Sequence, residues 1–365
     1  MTDTLAQAPK EEKRGSLLPV LRVIPEDCYE RSTLKGLLYV ARDVLLYIAV
    51  LAALVFASSW WLVIPLWALA GLAVVGLFVL GHDAAHGALF DSQRLNSLVG
   101  HIMFFPSMHV YEAWVLGHNR IHHGHTVRQG MDFVWHPVTA EQWGALGKYK
   151  RLQHRVEWSV LGAGAYYLRE VWWHKMIRLT DPPKKWVDPI KRDSRILNAW
   201  IVFSLLGSFL LGLALGGGVV GGLWMVIKLI VVPFLLFNYF IGWAVYVHHI
   251  DPDVKWYKRR EWTKWAGQME GTTVLRTNWF LNIFFHKIFI HVPHHVDMRI
   301  PFYKLEQATE AIEDEFPDLI VDRKLTLRDY RAHTRVCKIY DFDEQVWISY
   351  AEADARVTAS GTLNS

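Results

Sequence analysis

Histidine is concentrated in three short stretches of this 365-residue chain. The stretches are HDAAH, HNRIHH and HVPHH, which begin at His82, His118 and His291. A spacing of three or four residues places side chains on one face of a helix, so each stretch can direct its imidazoles towards one point. Neutral imidazole is a common ligand for Fe, Zn, Cu and Ni. The stretches therefore predict metal ligands, namely His82, His86, His118, His122, His123, His291, His294 and His295.

The number of these histidines indicates two metal ions rather than one. Four ligands saturate a tetrahedral zinc site, whereas the three stretches hold eight histidines. His125, which follows the second stretch, is expected to be a neighbour and not a ligand. The chain has two cysteines, Cys28 and Cys337, which are too few for a thiolate site. Residue type and spacing leave the identity of the metal open at this point.

Long apolar runs must position these histidines. Hydrophobic residues make up 52% of the chain, and four runs have about the length that a hydrocarbon core of roughly 30 Å requires. The predicted fold is an all-α membrane protein with four transmembrane helices in two hairpins and a cytosolic helical cap. The spans are expected at about 37–57, 60–80, 197–215 and 223–247. The chain is expected to divide into a polar N-terminal segment 1–36, a membrane domain 37–345 and a C-terminal tail 346–365. Within the membrane domain, residues 81–196 and 248–345 are expected to form the cap.

The distribution of lysine and arginine predicts the orientation. The two short connections between spans carry neither residue, whereas the polar segments carry many, so the positive-inside rule places both termini and all three histidine stretches in the cytoplasm. Lys228 is the exception, and we expect its ammonium group to reach the membrane interface. The net charge of +4 is mild and the basic residues form no stripe, which argues against a nucleic-acid partner. We expect a multi-pass protein of the bacterial inner membrane.

Three motifs, GHDAAHG, HNRIHHGHT and IHVPHH, resemble the histidine boxes of the integral-membrane fatty acid desaturase family. The flanking sequences YVHHIDPDVKWY and FFHKIFIHVPHHVDMRIPFYKL resemble those of acyl-lipid desaturases of the Δ12/ω-6 and ω-3 kind. The resemblance extends from about residue 25 to residue 340.

The resemblance implies a non-haem centre of two iron ions on the cytosolic face of a four-helix bundle. It also implies O2 as co-substrate and a fatty acyl chain, linked to a lipid, as the substrate that gains a cis double bond. Two further ligands outside the boxes are implied as well. One is His249, with His248 left open as the alternative, and the other is His286.

Metal-bound histidines commonly donate their second ring N–H to a nearby acceptor. Asp83, inside the first box, is a candidate acceptor. Asn282 lies one helical turn before His286 and is a second candidate, with an ordinary place on a helix surface as the alternative. Asp132 and Glu270 are further carboxylates to which the sequence assigns no position.

The second box departs from the usual desaturase pattern. Acyl-lipid desaturases usually have HxxHH, whereas His118, His122 and His123 form HxxxHH. Membrane alkane hydroxylases and some fatty acid decarboxylases are similar to this chain at that spacing, so these reactions on the same di-iron scaffold are the alternatives to desaturation.

The electrons for the reaction must come from elsewhere. The sequence shows no Gly-rich dinucleotide motif and no four-cysteine iron–sulfur motif. A separate ferredoxin- or cytochrome-like donor is therefore expected. A haem-binding membrane electron carrier is a further alternative from a different class, although its histidines should lie within the apolar runs and not at their ends.

Overall fold

The computed structural model describes residues 15–359 and residue 361. Four long helices carry most of the apolar sequence, and each is long and apolar enough to cross a membrane. They are numbered here in chain order. The first to fourth long helices are Thr33–Phe56, Trp60–Ala85, Lys184–Ala214 and Gly218–His249.

The long helices extend beyond the predicted spans at their polar ends. The second continues past residue 80 to Ala85, so the first histidine box lies at its end, with His86 directly after the last helical residue. The third begins at Lys184, well before residue 197. Its first turns are polar, so hydrophobicity did not mark them as part of the span, but they continue the same helix. In the fourth, a π-helical segment, Ile227–Val231, lies between the α-helices Gly218–Val226 and Val232–His249.

The first long helix packs on the second, the second on the fourth, and the third on the fourth. Glycine permits the closest approaches. A Cβ atom at Gly71 would lie 2.7 Å from the Cβ atom of Leu236, and one at Gly212 would lie 2.3 Å from the carbonyl oxygen of Gly221. Small residues therefore set the distance between these helices, as is common for helices that pack in lipid.

Lys228 of the fourth long helix is buried, and its ammonium group lies at the connection between the first two long helices. Its ammonium group donates to the carbonyl oxygens of Ala57 and, at 3.4 Å, Val55, at the end of the first long helix. The last carbonyls of a helix have no partner within the helix, and a cation there also interacts favourably with the helix dipole. Lys228 thus caps the C-terminal end of the first long helix.

Replacing Lys228 with methionine should lower the thermal unfolding temperature by several degrees, because it leaves these carbonyls without a donor in apolar surroundings. The expected loss is about 1–3 kcal/mol. Thermal unfolding in detergent measures it, with Leu223→Met, an exposed position of the same helix, as the control. Equal unfolding temperatures for the two variants would show that the ammonium group does not stabilise the helix end.

Shorter helices fill the polar segments. The α-helices are Leu18–Val23, Gln93–Phe104, Tyr111–Trp114, His123–His125, Ala140–Ala145, Lys148–Glu157, Ala163–Tyr166, Trp279–Phe285, His291–Val296, Leu305–Glu315, Leu327–Val336 and Tyr350–Ala359. The π-helical segments are Val115–His122, Tyr167–Ile177 and Ala266–Glu270, and the 3-10 turns are Glu26–Tyr29 and Phe302–Lys304.

The structure is mostly helical, and it corrects the all-α prediction by four short strands. Strand β1 (Thr273–Arg276) pairs in parallel with β2 (Val321–Lys324), and β3 (Ile339–Asp341) pairs antiparallel with β4 (Val346–Ile348). Strands of three or four residues are too short to show a period-two pattern, which explains why the sequence did not reveal them.

The two predicted terminal segments lie partly outside the described residues, which omit 1–14, 360 and 362–365. The described part of 1–36 includes the helix Leu18–Val23, which packs on the helix Leu305–Glu315. At the other end, the helix Tyr350–Ala359 packs on Ala140–Ala145, where the indole N–H of Trp143 donates to Asp354 over 2.8 Å. Residues 346–359 therefore pack into the fold.

Candidate metal centre

Nine histidines converge at the ends of the second and fourth long helices and in the polar segments that follow them. In each of two groups, one ring nitrogen per residue lies within 4.8 Å of the corresponding nitrogens of all the other members. The first histidine group consists of His82, His86, His118, His123 and His294. The second histidine group consists of His122, His249, His291 and His295.

The Nε2 atoms of the first group form a row of short contacts. The distances are 3.2 Å from His86 to His82, 2.9 Å from His82 to His118 and 3.2 Å from His118 to His123. A neutral ring nitrogen has either one N–H or one lone pair, so a nitrogen within the row cannot hydrogen-bond to both neighbours. Two ligand atoms at a right angle around an ion, with bonds of about 2.1 Å, lie roughly 3.0 Å apart. The row therefore fits nitrogens that surround one metal ion.

The second group also contains ring nitrogens that lie close together or have no hydrogen-bond partner in the described part of the chain. The Nε2 atoms of His291 and His295 lie 3.1 Å apart. The Nε2 atom of His249 is buried and has no hydrogen-bond partner among the described residues, and the same holds for His294 in the first group. Buried polar atoms are normally paired, and within the two groups these unpaired nitrogens are available as metal ligands. The donor set of both groups is imidazole alone, which suits iron and other borderline transition metals.

The second ring nitrogen, Nδ1, faces a polar partner in five of the nine histidines. The pairs are His82 with Asp83 at 3.3 Å, His122 with Asp132 at 2.8 Å, His249 with the Gly271 carbonyl at 2.9 Å, His291 with the Ile288 carbonyl at 3.0 Å, and His295 with Gln268 at 3.0 Å. An Nδ1–H that donates to such an acceptor leaves the Nε2 lone pair free for a metal, and it fixes the plane of the ring.

Burial keeps these imidazoles in the ligating, neutral form. For the members outside the long helices, burial together with the neighbouring histidines holds the pKa well below its ordinary value, as in His118, His123, His291, His294 and His295. Protonation, which would remove the lone pair needed for binding, is thereby disfavoured at neutral pH.

The extra residue of the second box is accommodated by a π-helix. Val115–His122 is π-helical, and the N–H of His123 donates to the carbonyl of His118, five residues earlier. In an α-helix the residues i and i+4 share a face, whereas in a π-helix i and i+5 do so. His118 and His123 therefore lie together in the first group, while His122 joins the second. In the shorter HxxHH pattern, the first and last histidines are four residues apart and would share a face of an α-helix in the same way.

This geometry predicts that deleting Arg120 leaves two metal ions per chain. Arg120 is exposed, and its removal shortens HNRIHH to HNIHH, which keeps the first and last histidines on one face if the segment returns to α-helix. Metal analysis of the purified protein measures the result. The matched variant, an alanine inserted after Ile121, should lose at least one ion. Loss of metal on deletion of Arg120 would contradict the role given to the π-helix.

The third box is divided between the two groups, although its spacing suggested a single common point. The box lies on the helix His291–Val296. His291 and His295, four residues apart, belong to the second group, and His294 points into the first. This one helix therefore contributes to both candidate metal positions.

Of the two neighbouring histidines that end the fourth long helix, His249 lies in the second group. His248 lies outside both groups and stacks on His291, with ring centroids 3.8 Å apart. The structure thus distinguishes two residues that the sequence left as alternatives.

His286 belongs to neither group. Its Nε2 atom lies 2.6 Å from the carboxylate of Asp43, which is buried in the first long helix and also accepts from Arg42 at 2.7 Å. The Asn282 side chain accepts from the Thr277 hydroxyl at 2.8 Å, and no hydrogen bond joins it to a histidine ring among the described residues. The sequence did contain one sign of this ion-pair network. Asp43 is a carboxylate inside an apolar run, and such a residue is expected to have a buried partner.

The other acidic candidates have distinct positions. Asp83 lies beside His82 as expected and also accepts the Phe302 backbone N–H at 2.8 Å. Asp132, which the sequence left without a position, contacts His122. Glu270 instead accepts from the Tyr257 hydroxyl. Gln268 was not predicted, and nothing in its sequence context marks it, because its contact with His295 spans 27 residues.

Comparison with known proteins agrees with the site. The family model for fatty acid desaturases matches residues 58–324. An omega-3 fatty acid desaturase of the chloroplast of Glycine max is 30% identical over 95% of this chain and 77% of its own length. An sn-1 oleoyl-lipid 12-desaturase of Picosynechococcus is 27% identical over 93% of this chain and 94% of its own.

A third relative is the sn-1 acyl-lipid omega-3 desaturase (ferredoxin) of Synechocystis, which is 30% identical over 84% of this chain and 82% of its own length. Each of the three relatives is thus named a desaturase, and the family model covers more than half of the chain. With its three histidine boxes and two converging histidine groups, the chain belongs to the fatty acid desaturase family and is an oxidoreductase.

Proposed function

We propose that the protein binds two non-haem iron ions, one in each histidine group, and uses O2 to introduce a cis double bond into a lipid-linked acyl chain. The observation that carries this proposal is the convergence of nine imidazoles in two groups within a member of the desaturase family. Iron is preferred over zinc because removal of hydrogen from an unactivated CH2 group requires a redox-active metal.

The reaction balances as –CH2–CH2– + O2 + 2 e⁻ + 2 H⁺ → –CH=CH– + 2 H2O. The bound ions would supply the O2-dependent oxidation of the C–H bonds. The chain's own residues hold the ions: His82, His86, His118, His123 and His294 on one side, and His122, His249, His291 and His295 on the other. Asp83, Asp132 and Gln268 orient rings of these histidines through their Nδ1 atoms.

A small cavity lined by apolar side chains and by histidines of both groups is the proposed place for an acyl segment. Its volume is only about 30 Å³, enough for one or two water molecules. An acyl chain must therefore displace side chains to enter, and it excludes water from the site when it does so. The apolar residues lining the cavity are Phe78, Val79, Trp114, Val134, Ile241, Val245 and Ile288.

In our proposal the four long helices form two transmembrane hairpins, with the metal centre in a cytosolic cap. His82 lies in the last turn of the second long helix and His249 is the last residue of the fourth, which supports a site at one membrane surface. The lysines and arginines of the polar segments support the cytoplasmic side and cytoplasmic termini, in a bacterial inner membrane.

A separate protein is proposed to deliver the two electrons. The name of the Synechocystis relative includes ferredoxin, which supports a one-electron carrier of that kind for this chain. The sequence contains no motif for a flavin, nicotinamide or iron–sulfur group of its own.

Expression in a host that lacks polyunsaturated lipids, followed by mass spectrometry of its acyl chains, tests the proposal. We expect a new double bond in lipid-linked acyl chains and about two iron ions per purified chain. An alcohol in place of the double bond would assign the protein to the hydroxylases, and a terminal alkene to the decarboxylases. A Soret band with one iron per haem would replace the di-iron proposal with a haem carrier.

A further inference from the structure

An open pocket of about 380 Å³ reaches one histidine of each group. His123 of the first group and His295 of the second both line it, and their rings stack with centroids 4.3 Å apart. The other walls come from the helix Leu18–Val23, from the π-helical segment Ala266–Glu270 and from residues 296–299 that follow the third box. At the bottom of the pocket, one imidazole ring, that of His123 or of His295, therefore separates solvent from each candidate metal position.

Gln268 holds the two histidines at the bottom of this pocket. Its side-chain oxygen accepts from the Nδ1 of His295 at 3.0 Å, and its amide group donates to the His123 carbonyl at 2.8 Å. The small cavity proposed for the acyl chain is lined by neither His123 nor His295. The two histidines are thus available from a side that the substrate does not occupy.

The rim of the pocket combines apolar and cationic side chains. Leu18 is 59% exposed and supplies an apolar side chain at the rim. Lys264 is exposed and pairs with no carboxylate among the described residues. The guanidinium of Arg299, also exposed, lies 2.6 Å from Asp297 and so offsets that acidic residue of the rim. The rim as a whole favours an acidic partner that also presents an apolar contact.

We propose that this pocket is the docking site of the electron donor, an acidic one-electron carrier whose redox group approaches His123 and His295. The inference rests on the proposed function, since it assigns a place to the donor which that function requires. Each carrier loses one electron, which passes through one of these imidazoles to the ion bound behind it, and two carriers are oxidised for each double bond formed. Electron transfer slows steeply with distance, so a carrier seated here has the advantage of the short path.

Small, transient contacts are typical of electron-transfer partners, and charge raises their association rate. The binding test uses the full-length protein in nanodiscs and a plant-type [2Fe–2S] ferredoxin, with affinity measured at low and high salt. We expect Lys264→Glu to weaken binding about tenfold at low ionic strength, with the difference shrinking at 0.5 M salt as the charges are screened. Leu18→Glu should weaken binding in both conditions, because it also removes an apolar contact.

Matched controls lie on the helix Leu327–Val336, away from the pocket. Leu327 is 69% exposed and Arg328 is exposed, so Leu327→Glu and Arg328→Glu make the same changes in charge and polarity elsewhere. These controls should bind ferredoxin as the wild type does. Equal weakening by Arg328→Glu and Lys264→Glu would overturn the docking site, as would a wild-type protein that does not bind the ferredoxin.

Two further measurements separate this inference from the proposed function. Iron content, and reduction of the bound iron by dithionite, should be the same in Lys264→Glu and in the wild type, while ferredoxin-driven product formation falls. A wild type without iron or product would defeat the proposed function, whereas normal product formation with unchanged ferredoxin affinity in both pocket variants would defeat only the docking site. An effect of Leu18→Glu that disappears once residues 1–14 are removed would assign the pocket to that segment and overturn the proposal.

Discussion

Replacing His118 with alanine is expected to reduce double-bond formation at least a thousandfold and to lower the iron content below two per chain. The His118 Nε2 atom lies at the centre of the first group, 2.9 Å from that of His82 and 3.2 Å from that of His123. Removing it would take away one of the five imidazoles that would hold the first ion, and the one with short contacts to two other rings of the group. Iron analysis and lipid mass spectrometry measure the two effects.

Two histidine variants serve as controls for this result. His125→Ala changes a residue that follows the same stretch and belongs to neither group, so this variant should keep two ions and normal product. His286→Ala removes the partner of Asp43 and should lower the unfolding temperature, because it leaves a buried carboxylate with less compensation. Loss of iron in His286→Ala without loss of stability would instead make His286 a ligand, as the sequence suggested.

Replacing Asp132 with asparagine should weaken binding of the second metal ion about 10- to 100-fold, as is typical when a partner of a metal-bound histidine is changed. One Asp132 oxygen lies 2.8 Å from the Nδ1 of His122 and accepts the Val134 backbone N–H, and the other accepts the Val127 backbone N–H. An asparagine side chain has one acceptor oxygen only, so its NH2 group must face an N–H donor. Competition with a chelator, followed by iron analysis, measures the change.

The expected outcome is selective: Asp132→Asn should retain one tightly held ion in the first group and lose the other at low chelator concentration. Asp318→Asn is the matched control, because this exposed aspartate has a positive φ of 61°, which asparagine adopts readily. If both ions leave Asp132→Asn together, the two groups bind metal as one unit. If neither is weakened, the carboxylate does not support His122 as a ligand.

Much of the site was visible in the sequence because its signals are local. The boxes place histidines on single helical turns, and all eight box histidines lie in the two groups. The four apolar runs correspond to the four long helices, since hydrophobicity over about 20 residues needs no tertiary information. Asp83 was predictable for the same reason, as it adjoins the histidine that it contacts.

The choices that the sequence left open, or suggested differently, depend on distances between elements. His249 and not His248 joins the second group because of how the end of the fourth long helix faces the third box. His286 is directed away from both groups by Asp43, a residue 243 positions earlier. Gln268 became visible only when the chain brought it beside His295.

Sequence alone predicted the candidate metal ligands of the three boxes, the four long apolar helices and the resemblance to the desaturases, because residue type and periodicity within one element encode them. Tertiary structure decided how the imidazoles divide between two groups, and that the extra residue of HNRIHH is absorbed by a π-helix. Periodicity states which side chains share a face of one helix. It does not state which faces of different helices meet, and the packing of the whole chain settles that.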